Sequence, residues 1–256
     1  RWSEQLCTGL RTADVKDGDV MPASVLCLSL SRSGGSMPLL TARVLPLQSG
    51  CEASTCRVPC AVTLISDSES ICYYELRVRI STCAQLLLHT ITGKRSTADW
   101  SIGLCLNKSV AMLVGMLGVL VGGAAYIPLD PTYPAKRSVA ISQDASFGGL
   151  VIAESSGTRY FVQPSSSVIY KKAWWSSGGR SMSYMIYTSG STGLPKGTLI
   201  EHANVNHFVN VTTLAHHLNS EHSRSPLVVE ISFDAHVWVL YPLFAAGGRL
   251  YTLPKL

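Results

Sequence analysis

Eleven residues, Tyr187-Thr-Ser-Gly-Ser-Thr-Gly-Leu-Pro-Lys-Gly197, hold three glycines, four serines and threonines and one lysine, and no acid. Their chemistry is that of an anion clamp. Gly190, Gly193 and Gly197 open backbone conformations closed to other residues, so successive N–H groups can converge on one ligand. Thr188, Ser189, Ser191 and Thr192 add hydroxyl donors, and Lys196 adds a full positive charge. Polyphosphate oxygens would meet no repulsion there. The segment is not a Walker A loop, which needs GxxxxGK[ST] opening a helix. Here Lys196 follows Pro195 and leads into a strand-like run. A plain Ser/Gly linker shares this composition, but it would not set one lysine after a proline between two apolar strands.

The elements around the loop alternate as strand and helix, which predicts an α/β fold of mainly parallel sheets flanked by helices. Strands are expected at 61–65, 124–128, 149–153, 183–188, 198–201, 227–233 and 249–253. Helices are expected at 74–88, 108–121, from Pro134 onward, at 203–218 and at 234–246, the last ended by Gly247-Gly248. Residues 155–179 read as loop. Residues 1–56 are rich in Ser, Gly, Pro and Cys without periodicity, and read as an unassigned linker or junction before a domain over 57–256.

Composition narrows the class. The chain has 256 residues and a net charge of +5, with basic residues scattered rather than clustered. A nucleic-acid footprint needs clustering on one face, so no nucleic-acid partner is expected. Charged residues are 14% of the chain, against about 25% in soluble domains, and mean hydropathy is +0.23. Together with Arg at position 1 and a stop directly after an apolar run, this suggests a piece of a longer chain, truncated at its C-terminal side. Residues 110–129 lack any charge and contain the pair Gly118 and Gly122, so a membrane span must be weighed. A buried helix ended at Gly122-Gly123 and followed by a buried strand accounts for the run without a bilayer. All eight cysteines lie in the first 105 residues, with no CxxC pair and no signal peptide before them. No metal site is expected there; free thiols in a cytoplasmic protein are.

The run from Ser183 to Gly197, followed by Glu201-His-Ala-Asn-Val205, closely resembles the AMP-binding signature of the adenylate-forming superfamily. Val121-Gly-Gly-Ala-Ala-Tyr-Ile-Pro-Leu-Asp-Pro-Thr-Tyr-Pro134 and Ile231-Ser-Phe-Asp-Ala-His-Val-Trp238 resemble segments of nonribosomal peptide synthetase adenylation domains. Cys72-Tyr-Tyr-Glu-Leu76 with Ala84-Gln-Leu-Leu87 resembles the family's first helix, more weakly. The resemblance covers roughly residues 57–256.

The resemblance implies the N-terminal part of the large adenylate-forming domain. It implies an enzyme that activates an amino acid with MgATP as aminoacyl-AMP and loads it onto the phosphopantetheine thiol of a peptidyl carrier domain. Residues 188–193 would then hold the β- and γ-phosphates, with Lys196 supplying charge or steadying the loop, and Thr188 and Lys196 acting in catalysis. Asp234, an N-cap by position, would pair with the substrate's α-ammonium group, and Ala235 and Trp238 would line the side-chain pocket. Core packing is the plainer role for Trp238. The ligand for Mg²⁺ and most of the pocket would lie beyond Leu256, so this chain alone is expected to be inactive. Glu230 stands where the family favours a small or neutral residue, and His236 where Ser is common. His236, like His207, His216 and His217, reads as an exposed helical residue. Two alternatives stay open: an acyl- or aryl-acid ligase of the same superfamily, and a non-catalytic gene remnant. The amino acid itself is not legible.

Overall fold

The computed structural model describes residues 11–12, 49–91, 101–145, 149–154, 157–162, 181–189, 194–216, 218 and 222–252. In chain order the elements are β1 (Arg11–Thr12), α1 (Ser49–Arg57), β2 (Val62–Ile65), β3 (Ser70–Cys72), α2 (Tyr73–Ile91) and β4 (Ser101–Cys105). Then come α3 (Val110–Val121), β5 (Ala125–Pro128), α4 (Ala135–Ala145), β6 (Gly149–Glu154), β7 (Gly157–Val162) and β8 (Met182–Ser189). The last are β9 (Pro195–Glu201), α5 (His202–Ala215), β10 (Arg224–Leu227), α6 (His236–Ala246) and β11 (Arg249–Thr252).

The larger sheet has the order β1-β7-β6-β4-β5-β8-β9. Its centre, β6 to β8, is parallel, and its edges pair antiparallel. The smaller sheet runs β10-β11-β2-β3, parallel except for β3. Every residue of β4 and β5 is buried, as expected of parallel strands covered on both faces, where continuous apolar runs replace alternation.

The uncharged run at 110–129 resolves into a helix, a turn and a strand. Ser109 caps α3 by accepting the Met112 N–H at 3.2 Å, and Gly123 takes the turn with φ +79°. Twelve residues span about 18 Å, well under the roughly 30 Å of a bilayer core. Among the described residues no helix is long and apolar enough to cross a membrane. The Gly118 position serves helix packing instead: a Cβ there would lie 2.6 Å from Cys83 Sγ on α2.

Five expectations change. Residues 49–57 belong to the fold, because α1 packs on the end of α6. Ser54 Oγ donates to the Phe244 carbonyl at 2.6 Å, and Arg57 donates to the Ala245 carbonyl at 2.7 Å. A cation on those last-turn carbonyls also complements the helix dipole. Arg11–Thr12 adds to the β7 edge. The 155–179 stretch contains β7, which pairs antiparallel with β6; residues 155–156 and 163–180 lie outside the described residues. The strand expected at 227–233 lies earlier, at Arg224–Leu227, where it pairs with Arg249–Thr252 of β11. The β-branched residues beyond it are tied down differently, with Lys108 Nζ donating to the Val228 carbonyl at 3.1 Å. Finally, α6 starts at His236, with Ala235 as its N-cap.

Candidate functional site

The glycine-rich segment joins an antiparallel hairpin at the sheet edge. β8 and β9 pair in a register that sets Thr188 opposite Lys196, Tyr187 opposite Gly197 and Ser189 opposite Pro195. Directly opposed side chains on one face lie close enough to act on one ligand. Thr188, Ser189 and Lys196 are all exposed. Pro195 starts β9, where a missing N–H costs an edge strand nothing. Lys196 therefore stands on the strand itself rather than within the loop. Gly190, Ser191, Thr192 and Gly193 lie outside the described residues.

Beneath the hairpin the contacts are specific. Tyr187 is buried and its Oη donates to Asp144 Oδ2 on α4 at 2.7 Å. Burial first, then the bond to Asp144 and its charge, push the phenol well above its ordinary range, so it stays a donor at neutral pH. Arg137, also on α4, donates to the Tyr187 carbonyl at 3.3 Å and stacks 4.6 Å above the Tyr133 ring.

The second cluster sits at the turn before α6. There Phe233 N–H bonds the Glu230 carbonyl, His236 N–H the Phe233 carbonyl and Val237 N–H the Asp234 carbonyl. Asp234 precedes the N-cap rather than filling it, and it is exposed. Phe233 and Trp238 are 63% and 66% exposed. Trp238 is thus not core packing, and its ring lies 5.5 Å from Phe208 of α5. Ala235 is half-buried. Glu230 pairs with Lys108 at 3.4 Å. That ion pair and the Val228 carbonyl bond fix the chain as it enters the turn.

His236 corrects the sequence reading outright. It is 0% exposed. Its Nδ1 bonds the Phe233 carbonyl at 2.6 Å, and its Nε2 meets Tyr126 Oη at 2.7 Å. With Nδ1 donating to that carbonyl, Nε2 accepts the Tyr126 hydroxyl hydrogen. Tyr126 Oη also lies 3.1 Å from Tyr241 Oη, and its ring stacks on Tyr184 of β8 at 5.5 Å. Burial lowers the His236 pKa to about 4, opposed by the Phe233 carbonyl and Asp234, so the ring is neutral. His202 is likewise buried and lowered to about 4 by desolvation. His207 and His216 are exposed, and His217 lies outside the described residues.

The two clusters meet on β8. Tyr184 is raised to about 12, by burial first and then by the charge of Asp234. Asp234 is therefore electrostatically close to a residue four positions before Thr188, about 13 Å along the strand. Among the described residues no three His, Cys, Asp or Glu side chains group as a metal site.

Fold and surface together define an α/β protein of the parallel-sheet class, with a hydroxyl- and lysine-bearing hairpin at one sheet edge. More particularly, the chain belongs to the AMP-binding enzyme family, whose model matches residues 51–256. It is 31% identical over 213 residues to bacitracin synthase 2 of Bacillus licheniformis, a match covering 78% of this chain and 8% of that protein. It is 30% identical over 236 residues to gramicidin S synthase 1 of Brevibacillus brevis, covering 80% and 19%. Its fold matches the N-terminal subdomain of Klebsiella oxytoca NpsA, solved with 3-hydroxybenzoyl-AMSN. There the TM-score is 0.66 at 20% identity, covering 86% of this chain and 58% of that one. A nonribosomal peptide synthetase solved with AMPPNP gives 0.65 at 20% identity, covering 82% and 23%. The chain thus spans only a small part of the length of the two synthases.

Proposed function

We propose that this chain is the N-terminal portion of an amino-acid-activating adenylation domain within a peptide synthetase. One observation carries the reading: the exposed Thr188–Lys196 pair bridges the end of β8 to β9, and about 13 Å before Thr188 on β8 Tyr184 feels the charge of Asp234. An amino acid held by its ammonium at Asp234 would extend along β8 toward a nucleotide held at the hairpin. Its carboxylate oxygen then attacks the α-phosphorus, the bond to the β-phosphate oxygen breaks, and pyrophosphate leaves with the electron pair. The aminoacyl adenylate afterwards gives its acyl group to a carrier-domain phosphopantetheine thiol, releasing AMP.

The hairpin residues act by placement and charge, as nucleotidyl transfers require. Lys196 neutralises the departing pyrophosphate, and the Thr188 and Ser189 hydroxyls donate to its oxygens, with Gly190, Ser191, Thr192, Gly193 and Gly197 contributing backbone room and N–H donors. Magnesium bound with the nucleotide would supply further shielding of phosphate charge beside that of Lys196. Asp234 orients the substrate through a charge-assisted hydrogen bond. Ala235 and Trp238 wall one side of the pocket. Identity of 30% and 31% to two bacterial peptide-antibiotic synthases supports an amino acid as substrate, a carrier domain as partner and a cytoplasmic setting.

The test is exchange of labelled pyrophosphate into ATP by the complete adenylation domain that contains this chain, run with a panel of amino acids and the matching acids without the amino group. The reading expects amino-acid-dependent exchange that Asp234→Ala abolishes. Exchange driven by bare acids and indifferent to Asp234→Ala would move the protein to the acyl- or aryl-acid ligases. A stop codon directly after Leu256 in the gene would favour a remnant.

A further inference from the structure

Thr188 and Lys196 sit exposed at the end of an edge hairpin, next to a proline and a glycine. Their position must be set from below, and Tyr187 is the residue placed to do it. It precedes Thr188 in β8 and is the register partner of Gly197, the residue after Lys196. A shift of Tyr187 is therefore transmitted to both functional side chains, to one through the peptide bond and to the other across the ladder.

Tyr187 is held at three points. Its hydroxyl is fixed by Asp144 at 2.7 Å, and its carbonyl takes the Arg137 bond at 3.3 Å, both from α4. Its ring covers Gly197 so closely that a Cβ there would come 3.0 Å from Tyr187 Cζ, 3.2 Å from its Oη and 2.8 Å from Met185 Sδ. Contact at under about 3.4 Å leaves no room for any side chain larger than hydrogen without moving the ring. Tyr187 itself is only 5% exposed, whereas Asp144 is exposed. The carboxylate would return to water on losing its partner, so the hydrogen bond contributes little to overall stability and is free to serve position instead.

We propose that Asp144 and Tyr187, with the Tyr187 ring seated on Gly197, form a clamp that sets the spacing of Thr188 and Lys196 and so tunes anion binding at the hairpin without either the carboxylate or the phenol touching the anion. The proposal rests on the reading of that hairpin as a phosphate grip. Tyr187 is a positioning residue: its hydroxyl is spoken for by Asp144. Helix α4 becomes the reference against which the grip is registered, because both Asp144 and Arg137 project from it.

The test is calorimetric titration of inorganic pyrophosphate into the 256-residue chain, with thermal melting of each variant alongside. Tyr187→Phe keeps the ring and removes the donor; it should weaken pyrophosphate binding about five-fold, the loss of one hydrogen bond's positioning, at nearly unchanged Tm. Asp144→Ala should match it, while Asp144→Asn, which keeps an acceptor oxygen, should restore most of the affinity. Gly197→Ala should weaken binding further by displacing the ring. Wild-type affinity in both Tyr187→Phe and Asp144→Ala would overturn the clamp and leave the phosphate grip standing. A loss that follows Tm and is not rescued by Asp144→Asn would also overturn the clamp, reducing it to a stability contact. No binding by the wild-type chain would overturn the grip itself, and the clamp with it.

Discussion

The hairpin edge and the turn before α6 each present residues suited to chemistry, but they are supported in opposite ways. Under Thr188 and Lys196 the supports are half-exposed: a tyrosine–carboxylate bond and an arginine–carbonyl bond to one helix. Under Asp234 the support is a sealed polar node of His236, Tyr126 and Tyr241, all but out of water. A half-exposed contact can be lost and its groups rehydrated. A sealed one leaves bare donors and acceptors in apolar surroundings, and the cost of those is much larger. The hairpin can therefore be adjusted residue by residue, whereas the turn stands or falls with its node.

The largest effect should come from breaking the node. His236→Ala strips one of its two bonds from each of the Phe233 carbonyl and the Tyr126 hydroxyl and opens a cavity, and should cost roughly 2–4 kcal/mol in urea denaturation. Adding Tyr126→Phe to His236→Ala should cost less than the two single losses summed, because the pair acts as one unit. Additive losses would mean that the two residues stabilise separate regions.

Acid should find the same weakness. His236 and His202 are lowered from 6.5 to about 4 in the folded chain. The unfolded chain therefore binds their protons first, so stability is whole above about pH 6.5 and declines as pH falls toward 4. In melts from pH 7 to 4.5, His236→Ser should flatten that decline by about one proton's slope. The same decline in wild type and His236→Ser would show that His236 titrates normally.

A smaller change is expected at the hairpin, and in binding rather than folding. Lys196→Ala should leave the unfolding free energy within about 0.5 kcal/mol of wild type while weakening pyrophosphate binding about ten-fold. Smallest of all, Trp238→Ala should alter stability by no more than roughly 0.5 kcal/mol, since the ring is 66% exposed and meets only Phe208 among the aromatic rings described, at a tilt. A loss of several kcal/mol there would make Trp238 a core residue after all.

Much of this is legible from local pattern. The elements β5, α4, β6, β8, β9, α5 and β11 follow from apolar runs punctuated by glycine and proline, and the helix α3 from its Gly122-Gly123 end; β4 and β7 do not. Beyond pattern, the resemblance around 183–197 points to the AMP-binding family. What fails depends on tertiary partners. The 227–233 run has the composition of a strand, but the pairing with β11 falls over Arg224–Leu227, a register that no local pattern fixes. Helix α1 opens on small and polar residues, Ser49, Gly50, Ser54 and Thr55 among them, and it is defined by the α6 end that it caps. At His236 the residue type misleads, although a signal is present: with Leu240 and Phe244 it forms an i, i+4, i+8 stripe whose other members are apolar. The Asp144–Tyr187 bond joins residues 43 apart, and nothing in either segment announces it.

The division of labour between the two regions is tested most directly by titrating MgATP into the wild-type chain, Lys196→Ala and Asp234→Ala in one calorimetric series. The hairpin should carry nucleotide binding, so Lys196→Ala weakens it about ten-fold and Asp234→Ala leaves it unchanged. Equal losses in the two variants, or no loss in Lys196→Ala, would contradict the assignment of the phosphates to the β8–β9 edge.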